Sequence, residues 1–280
     1  SKERKRGKLE ALNRFLLGKE KENILYAGDK DELNEIRYVI TLDADTELLK
    51  NEGAKLIETL AHPLNEAVFD PISKRVTRGY TLIQPRISTS LPSSNKTYFS
   101  KIFSGGIGSD PYTESVSDVY QDMFHEGSYL GKGIYDLKLF HEILDGYFPD
   151  SHLLSHDLIE GAFVRVGFAS SIELLDEFPE NYEMYTKREH RWIRGDWQIL
   201  GWLNSRLSFI NRFKIFDNLR RSTLPIFFFL LIITAAFLQT HFHFWLSFVL
   251  GIIFIPTFAL LGFHLFQVNK EFILSSSAIK

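Results

Sequence analysis

Residues 222–269 contain no Asp, Glu, Lys or Arg. At about 1.5 Å per residue, such a stretch has room for two bilayer crossings of about 30 Å each. Burying that much apolar chain inside a soluble protein would need another domain to wrap it. The feature therefore predicts a polar part followed by a membrane hairpin. Gln239-Thr240-His241-Phe242-His243 marks the turn, with spans near 223–238 and 244–268. Pro225 falls where a helix start tolerates proline, and Pro256 is expected to kink the second span. Arg206, Arg212, Lys214, Arg220 and Arg221 precede the first span, whereas the turn carries no Lys or Arg. By the positive-inside rule the polar part faces the cytoplasm. Between them, 207–221 interleaves Phe209, Phe213 and Phe216 with Arg and Lys. That pattern fits a helix lying in the membrane interface, or else a plain surface helix.

The remaining residues of this 280-residue chain suffice for one substantial core, residues 1–206. The net charge of −3 argues neither for nor against nucleic acid, which is not among the expected partners. Without cysteine, disulfides and thiolate metal sites are excluded.

Within that part, residues 38–42 (Tyr-Val-Ile-Thr-Leu) suit a buried strand of a parallel sheet, and the strand ends in Asp43-Ala44-Asp45. A carboxylate at the tip of a buried strand must be solvated, paired or bound to metal. Open α/β sheets bind ligands outside the carboxyl ends of their strands, which suggests a divalent-metal and diphosphate site. An EF-hand loop is excluded, because Leu48 stands where its glycine belongs and Ala54 where its glutamate belongs. A plain cap remains open, with Asp45 or Thr46 starting a helix over 48–60.

Earlier, the basic run Lys5-Arg6-Gly7-Lys8 opens a helix with Leu9, Leu12 and Leu16, and basic residues there offer an anion site or a solvated start. A strand over 80–84 is expected to end at Pro85-Arg86. Residues 88–117, with Gly105-Gly106-Ile107-Gly108, read as a long loop over the site. Gly131 and Gly133 allow backbone to approach a flat ligand such as a sugar. His156-Asp157 leads into a helix through Ile159, Phe163 and Val166, with a strand over 170–175 after it. Finally, a helix over 186–203 sets Arg188 and Arg191 three apart on one face, beside Trp192 and Trp197. Guanidiniums beside indoles suit a diphosphate next to a sugar, and an amphipathic helix with snorkelling arginines is the alternative.

Taken in order, Asp43-x-Asp45, Gln84-Pro85-Arg86, Gly131-Lys132-Gly133-Ile134-Tyr135-Asp136, Ser155-His156-Asp157 and Arg188-x-x-Arg191-Trp192 resemble the glycosyltransferase domain of cyclic β-1,2-glucan synthases. These are membrane-bound processive GT-A glycosyltransferases, related in pattern to cellulose and chitin synthases. The likeness covers about 5–198, with His156 and Arg188 replacing the family-wide Glu and Gln. It implies a GT-A-like (Rossmann-like) mixed α/β sheet with helices on both faces, then the transmembrane hairpin and tail of 222–280. It also implies inverting transfer of glucose from UDP-glucose to a growing β-1,2-glucan, with cellulose, chitin or hyaluronan synthesis as the nearest alternative. A membrane-anchored nucleotide-sugar binding module without turnover is the alternative from another class.

In that scheme Asp157 is the general base, with His156 raising or orienting its carboxylate or merely packing beside it. Asp45 and Asp43 hold Mg²⁺ or Mn²⁺, and Arg191, Arg188 and Lys8 face the diphosphate. Gln84, Gly131, Gly133, Trp192 and Trp197 line the donor and acceptor sites. The implied partners are UDP-glucose, a β-glucan acceptor, the lipid bilayer and the remaining domains of a larger polypeptide. The implied location is the inner (cytoplasmic) membrane, multi-pass, with the catalytic domain on its cytoplasmic side.

Overall fold

The computed structural model describes residues 5–19, 33, 35–73, 75–104, 118–148, 157–204, 207–238, 241–255 and 258–259. The chain forms two compact units, Ser1–Leu219 and Arg220–Lys280.

In the first unit, α1 (Lys5–Leu16) precedes β1 (Tyr38–Thr41). The acidic pair then makes a turn, with the Thr46 amide donating to the Asp43 carbonyl at 3.2 Å. Instead of starting a helix, Thr46 opens the strand β2 (Thr46–Leu48), and α2 (Glu52–Ala61) follows Asn51. Capping by Asp45 or Thr46 is thereby overturned, because a neighbouring strand claims this backbone first. A hairpin of β3 (Val68–Asp70) and β4 (Arg75–Arg78) leads to β5 (Leu82–Thr89). Pro85 does not end β5. It sits at a register shift between Pro85 and Arg86, where a residue without an N–H is tolerated.

Part of the expected loop is helical: α3 (Leu91–Ser94) is capped by Ser90, and α4 (Tyr98–Phe103) by a reciprocal Thr97–Ser100 pair. Residues 105–117, with their glycines, lie outside the described residues. Next come α5 (Val119–Phe124), β6 (Gly133–Asp136), α6 (Leu137–Leu144) and α7 (Asp157–Val164). The strand β7 (Val166–Asp176) starts four residues earlier than expected, so Val166 belongs to it and not to the helix. Arg165, with φ of 55°, turns the chain between the two. Last in this part is α8 (Tyr182–Gln198), continued by a 3₁₀ segment, Ile199–Asn204.

Five strands form one mixed sheet in the order β1-β6-β5-β7-β2. β1 pairs antiparallel with β6, not parallel as expected, and among the described residues it is an edge strand. Because β6 is also antiparallel to β5, and β5 parallel to β7, the strands β1, β5 and β7 point the same way. Their period-two alternation feeds two cores. Ile83, Ile134 and Ile172 face Leu56 and Leu60 of α2. Leu82, Tyr135 and Val166 face the opposite side, with Leu16 of α1, Phe140 of α6 and Val164 of α7. Helices thus cover both faces.

A long helix, α9 (Phe209–Phe237), begins inside this unit. Ile215 and Leu219 join Phe148, Ile159, Phe163 and Ile199 in a third cluster, while Phe209, Phe213 and Phe216 stay exposed. Pro225 lies inside α9 and not at its start, and a proline there removes one backbone hydrogen bond of the ladder. In the second unit the apolar part of α9 is followed by a shorter apolar helix, α10 (Phe242–Ile255). Only α9, among the described residues, is long and apolar enough to cross a membrane. Gln239, Thr240 and Pro256 fall outside the described residues.

Candidate active site

Pairing of Thr41 with Gly133 brings the exit of β1 beside the entry to β6. Asp43, two residues past Thr41, therefore meets Lys132, one residue before Gly133. The Lys132 ammonium lies 3.2 Å from Asp43 Oδ2 and also bonds Asp176 Oδ2, at the end of β7. Lys5 reaches in from α1, donating to Asp43 Oδ1 at 2.5 Å and to the Gly131 carbonyl at 2.6 Å. Burial alone would raise the Asp43 pKa, but Lys5 and Lys132 outweigh it and hold the carboxyl below its ordinary value. For Lys132, burial opposes the charge, and Asp176 and Asp43 outweigh it in turn.

Asp157 opens α7 directly against the Gly131 turn. A Cβ on Gly131 would stand 2.8 Å from Asp157 Oδ2, and this residue has φ of +84°. Glycine is therefore required twice over, by backbone conformation and by the closeness of the carboxylate. Burial pushes the Asp157 pKa up to about 6; Lys5 and Lys132 pull it down, and Asp43 pushes it up. One helical turn on, buried Glu160 is pushed up to about 8, by burial first and by Asp157 second. A carboxylate poised near neutrality beside a solvent-facing acidic pair has the properties of a general base.

Gly133, with φ of +154°, would place a Cβ 2.3 Å from the Ile83 carbonyl, so it permits the tight β5–β6 contact. Gln84 is 1% exposed. Its amide donates to the Pro85 carbonyl at 2.9 Å and its oxygen accepts from the Leu130 amide at 2.8 Å. Its oxygen thus holds the loop before Gly131, while its amide is spent on the next residue of β5.

Arg188 sits among aromatic rings, 5.4 Å from Phe178, 5.8 Å from Tyr185 and 5.0 Å from Trp192. Burial disfavours its charge, while Glu189, Tyr185, Asp176 and Asp45 favour it. Its Nε is buried without a hydrogen-bond partner among the described residues. The structure thus joins Asp43 to Asp157 through Gly131, Lys5 and Lys132, and Arg188 electrostatically to Asp45.

Other expected site residues are not joined to this group. Lys8, Arg191 and Trp197 are exposed and make no hydrogen bond, ion pair or ring contact with the carboxylates among the described residues. Trp192, 39% exposed, touches the group only through Arg188. His156 lies outside the described residues.

Lys5 and Lys132 lie in stretches the sequence marks, but as a site for an anion and a glycine turn and not as partners of Asp43; Asp176 and Glu160 are marked by neither. Asp176 repeats the pattern of Asp43, an acid closing an apolar strand, and Glu160 follows Asp157 at helical spacing. Those two signals were readable. For a cation, the donor set is two acids one residue apart, Asp45 exposed and Asp43 with one oxygen on Lys5 and the other on Lys132. Such a set suits a hard ion held by one or two carboxylates plus a substrate's phosphates. Among the described residues there is no group of three or more acidic or His side chains around one point.

A mixed sheet covered on both faces, with acids closing two of its co-directional strands, β1 and β7, and an apolar helix after it, makes a GT-A-like α/β fold. No protein-family model matches the chain. Among curated proteins it is similar to the cyclic beta-(1,2)-glucan synthase NdvB of Rhizobium meliloti (strain 1021), 42% identical over 228 residues. Those residues are 80% of this chain and 8% of that much longer protein. The chain therefore spans only a small part of the curated relative it matches.

Proposed function

We propose that this chain catalyses transfer of glucose from UDP-glucose to the 2-hydroxyl of a growing β-1,2-glucan, with inversion and with a divalent cation. One juxtaposition supports this most: a carboxylate poised near pH 6 lies against the glycine turn whose next residue pairs with the Asp43-x-Asp45 segment. The resemblance to NdvB supplies the glucan and its linkage.

Asp157 accepts the proton of the acceptor hydroxyl at its carboxylate while that oxygen attacks the anomeric carbon and the bond to the diphosphate breaks. Arg188 and Arg191 hold the diphosphate electrostatically, and Trp192 and Trp197 offer faces for the acceptor sugars. Asp45, with Asp43, would hold Mg²⁺ or Mn²⁺, which when bound offsets the charge on the departing UDP. The exposed Phe209, Phe213 and Phe216 would rest in the membrane interface. In this arrangement α9 and α10 anchor a multi-pass inner-membrane protein with its site on the cytoplasmic side, where the charge pattern before α9 would keep it.

The test uses the full-length protein in detergent with labelled UDP-glucose. Asp157→Asn is expected to abolish incorporation and spare UDP binding in calorimetry, and the wild-type product should carry 1,2-linkages. Turnover retained by Asp157→Asn removes it as base. Other linkages point to another processive β-glycan synthase, and binding without product points to a module that only captures the sugar nucleotide.

A further inference from the structure

The acidic turn is held from both ends by one buried lysine with two acidic partners. Lys132, 9% exposed, grips Asp43 on the β1 side and Asp176 on the β7 side. The other oxygen of Asp176 accepts from the Thr46 hydroxyl at 2.6 Å, and Thr46 also pairs with Asp176 in the β2–β7 ladder. Asp43 and Thr46 are the first and last residues of the turn that carries Asp45. Across the sheet, β1 and β2 are its two outermost strands among the described residues, so hydrogen bonds along the sheet do not join them directly. Only the turn and this side-chain bridge link their ends.

A lysine between two glycines of positive φ could point many ways. Here it is drawn into the one place where it spans the ends of β1 and β7. An ammonium with two carboxylate partners gains charge-assisted hydrogen bonds on both, which offsets the cost of its burial.

We propose that Lys132 and Asp176 are positioning residues that set the geometry of the Asp43-Ala44-Asp45 turn for the sugar-nucleotide diphosphate and its cation. This rests on the site assigned above. Neither side chain touches reacting atoms. Their loss loosens donor binding; because Lys132 also helps hold the Asp157 pKa down, kcat is read on the alkaline plateau, where Asp157 stays deprotonated with or without it.

The experiment measures binding of UDP with Mn²⁺ by calorimetry, and donor KM and kcat, in the full-length protein. Lys132→Met is expected to weaken UDP–Mn²⁺ binding by about 10- to 100-fold and to raise donor KM in step, with kcat changed far less. Because Lys132→Met strands the half-buried Asp176 charge and can hinder folding, the double variant Lys132→Met with Asp176→Asn is the decisive one. Neutral on both sides, it is expected to melt near the wild-type temperature and still bind UDP–Mn²⁺ as weakly as the single variant. A double variant that folds and binds like wild type overturns the proposal, as does a loss confined to kcat. If Asp157→Asn and wild type both fail to bind UDP, the site assignment itself falls, and the proposal with it.

Discussion

Gly131→Ala isolates the contact on which the base depends. Two separable costs follow from the geometry. A side chain at φ of +84° meets the left-handed penalty, about 1–2 kcal/mol for an L-residue. For a domain of this size that lowers Tm by about 2–4 °C per kcal/mol. The new methyl would also stand 2.8 Å from Asp157 Oδ2, where ordinary contact begins at 3.4 Å. The carboxylate must retreat by about 0.6 Å, the difference between those two distances. Misplacing a reacting group by about 1 Å costs on the order of 100-fold in rate, so kcat should fall by roughly 10- to 100-fold, with UDP affinity little changed.

Gly146→Ala is the matched control, since Gly146 has φ of +69° and nothing within 4 Å of its would-be Cβ. It carries similar strain and no carboxylate. Thermal melts and labelled-glucose incorporation on both variants separate the two costs. The expected result is a comparable drop in Tm for both and a loss of kcat for Gly131→Ala alone. Wild-type turnover in Gly131→Ala, or an equal loss in Gly146→Ala, refutes the contact as the source of the effect.

Two further predictions concern protons. Asp157 works deprotonated and its pKa is about 6, so kcat/KM should fall about tenfold per unit below that pH and level off above it. A profile flat to pH 5 would disqualify it as base. Glu160 has a folded pKa of about 8, above its ordinary 4.5, so the native state holds the proton more tightly than the unfolded chain. Its stabilising effect is complete below pH 4.5 and drains away as pH rises through about 8. Glu160→Gln, which mimics the protonated form, should therefore match wild type in denaturant melts at pH 5 and exceed it at pH 9. Equal stability at both pH values would place the Glu160 charge in water.

The parts legible in the sequence were those whose signal is local. An apolar run closing in two acids marked β1 and the turn, and a long uncharged tract marked α9. Strand pairing is not local. Thr46, Glu47 and Leu48 precede a helical pattern and read as its first turn, until β7 takes their backbone groups. Pro85 reads as a stop, because a bulge that excuses a missing N–H is visible only once β7 lies alongside. Lys132 was in view between its glycines, yet nothing in Gly-Lys-Gly reveals its partners. They follow from the pairing of Thr41 with Gly133 and from the end point of β7. Lys5 outranks Lys8 for the same reason, since which residue of a basic helix points at the sheet depends on where α1 docks.

The stretch from Glu126 to Gly133 joins these observations, because each of its segments is fixed by a different element. At its start the Lys214 ammonium of α9 donates to the Glu126 carbonyl at 3.0 Å and the Gly127 carbonyl at 2.7 Å, while the Gly127 amide donates to the Val166 carbonyl at 2.8 Å. In the middle, Gln84 holds the Leu130 amide and the Tyr129 hydroxyl meets the Thr41 hydroxyl at 3.1 Å. At its end Lys5 holds the Gly131 carbonyl. Glycines make this path sterically allowed, but they also make it entropically costly to order. The side-chain bonds from α9, β5, β1 and α1 supply that order. The Gln84 oxygen is spent on this stretch, and a glycine turn can therefore present Asp157 with a fixed wall and not a mobile loop. The same bonds make α9 a structural neighbour of the base: where Lys214 grips the chain at Glu126, only four residues separate it from Gly131, the turn against which Asp157 rests.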